Sequence, residues 1–66
     1  MRVSVNGDEV ELADDATLIN LLQALSLGDA KVAVELNQSI VPRSQHATQR
    51  LQQGDCVEIV HAIGGG

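Results

Sequence analysis

Phenylalanine, tyrosine and tryptophan are absent from this chain. Its core therefore has to be built from Val, Leu, Ile and Ala. The stacking platforms on which many single-strand nucleic-acid binders lay their bases are missing as well. Cations are scarce: four Lys and Arg stand against nine Asp and Glu, a net charge of -5. Nucleic acid and anionic membranes are poor partners for such a surface. A lone cysteine, Cys56, excludes an intramolecular disulfide framework and fits a reducing compartment. No apolar run approaches the roughly 20 residues of a membrane span. The opening stretch MRVSVNGDEV lacks the long apolar segment of a secretory leader. The expected location is the cytoplasm.

Length adds a further exclusion. With 66 residues the chain is one domain, and a domain of that size buries only about 60% of the surface its unfolded chain exposes. It has no room for a deep cleft walled by its own residues. A module that works with a partner is a better expectation than a self-contained enzyme.

What is present reads clearly. MRVSVN alternates, with Met1, Val3 and Val5 on one face, as a half-buried strand requires. Asn6-Gly7 is the strongest short hairpin signal, since both residues tolerate positive φ. The EVEL stretch then alternates again through Val10 and Leu12. The period changes afterwards: Leu18, Leu21, Leu22 and Leu25 fall on one helical face. Thr17 is the expected N-cap. Asp14 and Asp15 precede it, where negative charge suits the helix dipole. Gly28 is the expected left-handed stop. KVAVELN predicts a strand with Val32, Val34 and Leu36 inward, NQS a turn, and IVPR a short extended piece that Pro42 confines to an edge or strand end. SQHATQRLQQ predicts a turn or a single helical turn. CVEIVHAI predicts the last strand, with Val57 and Ile59 inward and Cys56, Glu58 and Val60 outward.

One helix and four or five strands have one economical core, with the leucine stripe laid across one face of a mixed sheet. That order is the β-grasp arrangement, an α+β fold shared with ubiquitin. Its first and last strands are expected to lie parallel in the middle. The folded domain is expected to span 1–62, with 63–66 as a flexible glycine tail.

No catalytic constellation emerges from the side chains. His46 and His61 are far apart, without a Cys or second His at metal-ligand spacing. His46 is expected in a surface loop and His61 at a strand end. Cys56 opens a strand, with no cation or helix N-terminus nearby in sequence to activate its thiol. Gly7, Gly28 and Gly54 are isolated turn residues, not a phosphate-cradling loop. The early acids Asp8, Glu9, Glu11, Asp14 and Asp15 admit two readings, a solvated hairpin face or a dock for a basic protein patch.

The ending HAIGGG is different. At a background glycine frequency of roughly 7%, three in a row at a fixed place arise by chance at about 3 in 10,000. Other residues fray equally well, but glycine alone lets backbone pass a narrow channel and adopt unusual φ. From Ala62 to Gly66 an extended chain reaches roughly 17 Å. That suffices to place the Gly66 carboxylate in another protein's active site. Adenylation by ATP would give that carboxylate a good leaving group for a sulfur or nitrogen nucleophile. An inert flexible end is the alternative.

With this order of elements, LNQSIVPRSQHA, LQQGDCVEIVHAIGGG and the terminal Gly-Gly, the chain resembles the ThiS family, the sulfur carriers of thiamin biosynthesis, over essentially its whole length. The resemblance implies a protein co-substrate that contributes no catalytic side chain, binds no metal and holds no cofactor of its own. An adenylating enzyme of the ThiF type, related to ubiquitin-activating enzymes, would use ATP and magnesium to adenylate Gly66. A persulfide supplied through a cysteine desulfurase would convert it to a thiocarboxylate. A thiazole synthase of the ThiG type would take that sulfur. Gly64 and Gly65 would thread the partner's channel, and Val60 and Ile63 would dock the partner. Three rival readings share the fold: the small subunit of molybdopterin synthase or another sulfur carrier, a ubiquitin-like modifier, and an interaction module with an inert tail. The molybdopterin family tends to be longer and to carry aromatics. The sole lysine, Lys31, gives little capacity for self-linked chains.

Overall fold

A computed structural model describes residues 1–61. The expected domain boundary at 62/63 and the tail therefore lie outside the described residues. The elements are β1 (Arg2–Val5), β2 (Asp8–Glu11), α1 (Leu18–Ala24), β3 (Val32–Leu36), β4 (Ser39–Val41), a 3-10 turn (Arg43–Gln45) and β5 (Cys56–His61). They form one five-stranded sheet in the order β2-β1-β5-β3-β4. β1 and β5 are parallel neighbours and the other pairings are antiparallel. This is the expected mixed sheet with first and last strands in the middle.

Both hairpins are closed by two residues at positive φ, as the right-handed strand twist favours. Asn6 and Gly7 have φ of 50° and 89°, and Asn37 and Gln38 have 50° and 72°. The first pair was legible as Asn-Gly. The second puts a glutamine where glycine is the usual choice, and the Asn37 side chain compensates by bonding to β5: Cys56 N–H donates to Asn37 Oδ1 at 2.9 Å.

The helix starts as its sequence predicts. Asn20 N–H donates to Thr17 Oγ1 at 3.3 Å, and Thr17 N–H donates to Asn20 Oδ1 at 2.9 Å, a reciprocal cap for two otherwise unpaired amides. Asp14 serves a different end from the one expected: its carboxylate accepts from the Met1 amine at 3.0 Å. The helix stop also departs from expectation. Ser26, not Gly28, takes the left-handed conformation, with φ of 61°. Leu27 N–H donates to Leu22 O and Ser26 N–H to Gln23 O, the paired bonds of a Schellman ending. They satisfy the last carbonyls and offset the strain of a non-glycine residue. Gly28 has a steric use instead, because a Cβ there would come within 3.3 Å of Gln23 Cγ.

The core lies between α1 and one face of the sheet. Leu18, Leu21 and Leu22 pack with Val3, Val5, Val34, Val41, Val57, Ile59 and Leu51. Burying each such side chain contributes roughly 1.5–3 kcal/mol. The segment after β4 closes one end of this core. Leu18 N–H donates to Gln49 O and Leu51 N–H to Ala16 O, so the segment crosses the start of the helix.

His46 corrects a sequence expectation. It is buried, with 4% exposure, rather than at the surface. Its Nε2–H donates to Val41 O at 3.0 Å, and its backbone carbonyl accepts from Ile19 N–H at 2.9 Å. Imidazole is here a core-closing group that ties the end of β4 to the helix. The polar run around it hides this, because the tie connects elements distant in sequence.

Candidate functional site

The site is built on β5. Val57 and Ile59 point into the core, so alternation sends Cys56, Glu58 and Val60 to the face that carries no helix. Register brings neighbours to that face. Ala33 lies opposite Val60, Glu35 opposite Glu58, and Ile40 opposite Glu35. On the other side Ser4 pairs with Cys56 and Glu9, and Arg2 with Glu11.

Val60 is 60% exposed and Ile40 75%, the two large apolar side chains most open to solvent among the described residues. Val60 thus sits where expected. Ile40 was missed, because IVPR gives too short a run to assign an inward face. Once β4 pairs with β3, its placement opposite Glu35 is fixed. Two strand spacings and one two-residue step put the residues roughly 12 Å apart on the same face.

Four carboxylates share the face: Glu9, Glu11, Glu35 and Glu58. Arg2, a cation on this face, is already engaged. Its guanidinium lies 3.2 Å from Glu11 and 3.9 Å from Glu9. These pairs are exposed, so they contribute little stability. Their electrostatic consequence is a surface of net negative charge around two exposed aliphatic side chains. Of the early acids, Glu9 and Glu11 belong to this face, whereas Asp14 holds the Met1 amine.

Cys56 is exposed on the same face, beside Ser4. His61 is the exposed last residue of β5, and at that end the sheet borders an open groove of about 310 Å³ lined by Val5, Val10, Leu25, Leu27 and Ile59 together with the polar Asn6, Asp8 and His61. The two histidines are not brought together. His46 closes the core and His61 stands at the strand exit. Ile63, Gly64, Gly65 and Gly66 lie outside the described residues. What the arrangement offers chemically is a surface. An acidic, partly apolar sheet face leads along its central strand to His61, the last described residue.

A helix packed across a five-stranded mixed sheet with parallel central strands defines the class, a β-grasp protein of the ubiquitin-like kind. Comparison with known proteins narrows this. The model of the ThiS family matches residues 3–66. The sulfur carrier protein ThiS of Escherichia coli is 35% identical over 66 residues, covering both chains completely. A thiazole synthase of Paramagnetospirillum magneticum is 42% identical over 66 residues, all of this chain. This chain spans 20% of the length of the thiazole synthases it matches. The crystal structure of the thiamine biosynthesis protein ThiS from Geobacter metallireducens superposes with a TM-score of 0.84, at 33% identity and full coverage of both chains. The chain belongs to the ThiS family.

Proposed function

We propose that this chain is a sulfur carrier for thiazole formation in thiamin biosynthesis, acting as a co-substrate of partner enzymes rather than as a catalyst. The observation that carries this reading is the family match running through residue 66, over a chain that ends in three glycines. The Gly66 carboxylate attacks the α-phosphorus of ATP on an adenylating enzyme, and pyrophosphate leaves. Magnesium on that enzyme neutralises the phosphate charge. The terminal sulfur of a persulfide then attacks the acyl carbon and AMP leaves, giving an acyl disulfide. A second thiol attacks the persulfide carrier's own sulfur in that bond, forms a disulfide with it and releases the Gly66 thiocarboxylate. The chain's own contribution is delivery. Gly64 and Gly65 present no side chain to a narrow channel, and the open sheet face holds the partner.

Val60, Ile63 and the newly located Ile40 form the apolar part of that dock, and the surrounding carboxylates favour a partner patch with Lys or Arg at its rim. Thiazole synthase is the proposed acceptor of the sulfur. In support, the same module makes up a fifth of chains that carry that name. The cytoplasm, where thiols stay reduced, is the proposed location.

Intact-mass measurement tests the reading. Incubated with ATP, magnesium, an adenylating enzyme of the ThiF type, a persulfide donor and a thiol reductant, the protein should gain the mass of one oxygen exchanged for sulfur. Removing Gly66 should abolish the gain. An unchanged mass under conditions that convert the Escherichia coli carrier would refute it.

A further inference from the structure

Strand β5 outruns its parallel neighbour. β1 pairs with it at Ser4–Cys56 and Val5–Val57, then turns away at Asn6-Gly7, while β5 continues to His61. A side chain closes the gap. Ile59 N–H donates to Asn6 Oδ1 at 2.8 Å, and Asn6 Nδ2 donates to Ile59 O at 3.0 Å. The backbone N–H of Asn6 meanwhile donates to Val57 O at 2.9 Å. The carboxamide thus stands where a peptide group would and adds one rung to the ladder, two residues before the end of β5.

The same residue is chemically labile. Of Asn6, Asn20 and Asn37, Asn6 alone is followed by glycine. At Gly7 nothing lies within 4 Å of where a Cβ would stand. Glycine has no Cβ to hinder approach to its backbone nitrogen. Asn37 offers an internal control: it shares the φ of 50° and also bonds to β5, but Gln38 follows it.

We propose that Asn6 is a deamidation site that the folded ladder holds shut, and that loss of its amide uncouples the end of β5. In the reaction Gly7 N attacks Asn6 Cγ and loses its proton. The Cγ–Nδ2 bond breaks, and ammonia leaves with that proton. Water then opens the five-membered imide to aspartate or isoaspartate. No oxidant or reductant is needed. In the native fold the departing nitrogen is the donor to Ile59 O, and Cγ is held on the β5 side by both bonds, so the rung must open first. Afterwards an aspartate sets an acceptor against the Ile59 carbonyl where a donor had been. An isoaspartate also lengthens the backbone of a two-residue turn. If the tail is the working group, as proposed above, a loosened β5 delivers it less well; that last step rests on the carrier reading.

The test ages the full-length protein in mildly alkaline buffer, folded and in urea, followed by peptide mapping. Aspartate and isoaspartate should accumulate at position 6 and not at position 37. The folded rate should be slower by on the order of tenfold or more, the cost of opening the two bonds. Equal rates in the two conditions would overturn the protected rung. Amide exchange at Ile59 and Val60 should then be faster by about tenfold in the aged protein, and likewise in Asn6→Asp, than in fresh protein. Unchanged exchange in the aged protein would overturn the uncoupling, whether or not the variant folds. Sulfur loading measured in parallel separates the two ideas. If fresh protein acquires no sulfur, the carrier reading fails while the mapping and exchange results still decide this one.

Discussion

The two faces of the sheet are made by alternate residues of the same strands, yet they have opposite compositions. Under the helix stand Val3, Val5, Val34, Val41, Val57 and Ile59, all buried. On the open face stand Glu9, Glu11, Glu35, Glu58, Ala33, Ile40 and Val60. One face is uniform and carries stability. The other mixes charge with two isolated aliphatics, a pattern a core would not tolerate and solubility alone does not require. The period-two geometry of a strand lets one segment, CVEIVH, serve both ends at once. Stability and the proposed docking can therefore be probed separately by substitutions one residue apart.

The largest effect is expected on the inner side. Leu21 has no exposed surface, so Leu21→Ala should cost about 2–5 kcal/mol in denaturant unfolding. Any folded fraction should still bind the adenylating enzyme. A loss of affinity beyond the loss of folded protein would show that the two faces are coupled. His46→Ala comes next. It removes a buried group and its bond to Val41 O, and should cost about 1–3 kcal/mol. Exchange protection should fall first over 42–50, and protection lost uniformly would contradict its role as a local tie. Thr17→Ala removes half of the reciprocal cap and should cost about 1 kcal/mol in thermal unfolding.

The smallest stability effect belongs to the open face and sharpens the comparison most. Val60→Asp should change unfolding free energy by no more than about 0.5 kcal/mol, as for most surface substitutions. Binding to the adenylating enzyme, read by calorimetry, should weaken by about tenfold or more. Unchanged binding and adenylation in the folded variant would remove Val60 from the dock.

Much of this protein could be read along the chain, because its strongest signals are local. Asn-Gly specifies a turn through the φ both residues accept. The leucine spacing specifies a helix, and Thr17 specifies its start. The end of that helix was less legible. Glycine is the usual left-handed residue, but the bonds from Leu27 and Ser26 back to Leu22 and Gln23 let a serine serve. Alternation in CVEIVH placed Val60 correctly. Ile40 could not be placed, since a three-residue strand has no period of its own and borrows its face from the partner it pairs with.

By itself, the sequence determined the element types, the inward leucine and valine stripes, the acidic balance and the glycine ending. Each follows from steric and hydrogen-bonding preferences within a few residues. Tertiary structure alone decided the burial of His46, the joining of Ile40, Glu35, Glu58 and Val60 on one face, and the rung that Asn6 adds to β5. Those depend on pairing across 5 to 53 residues of chain. Which distant groups meet is settled by how the whole core closes.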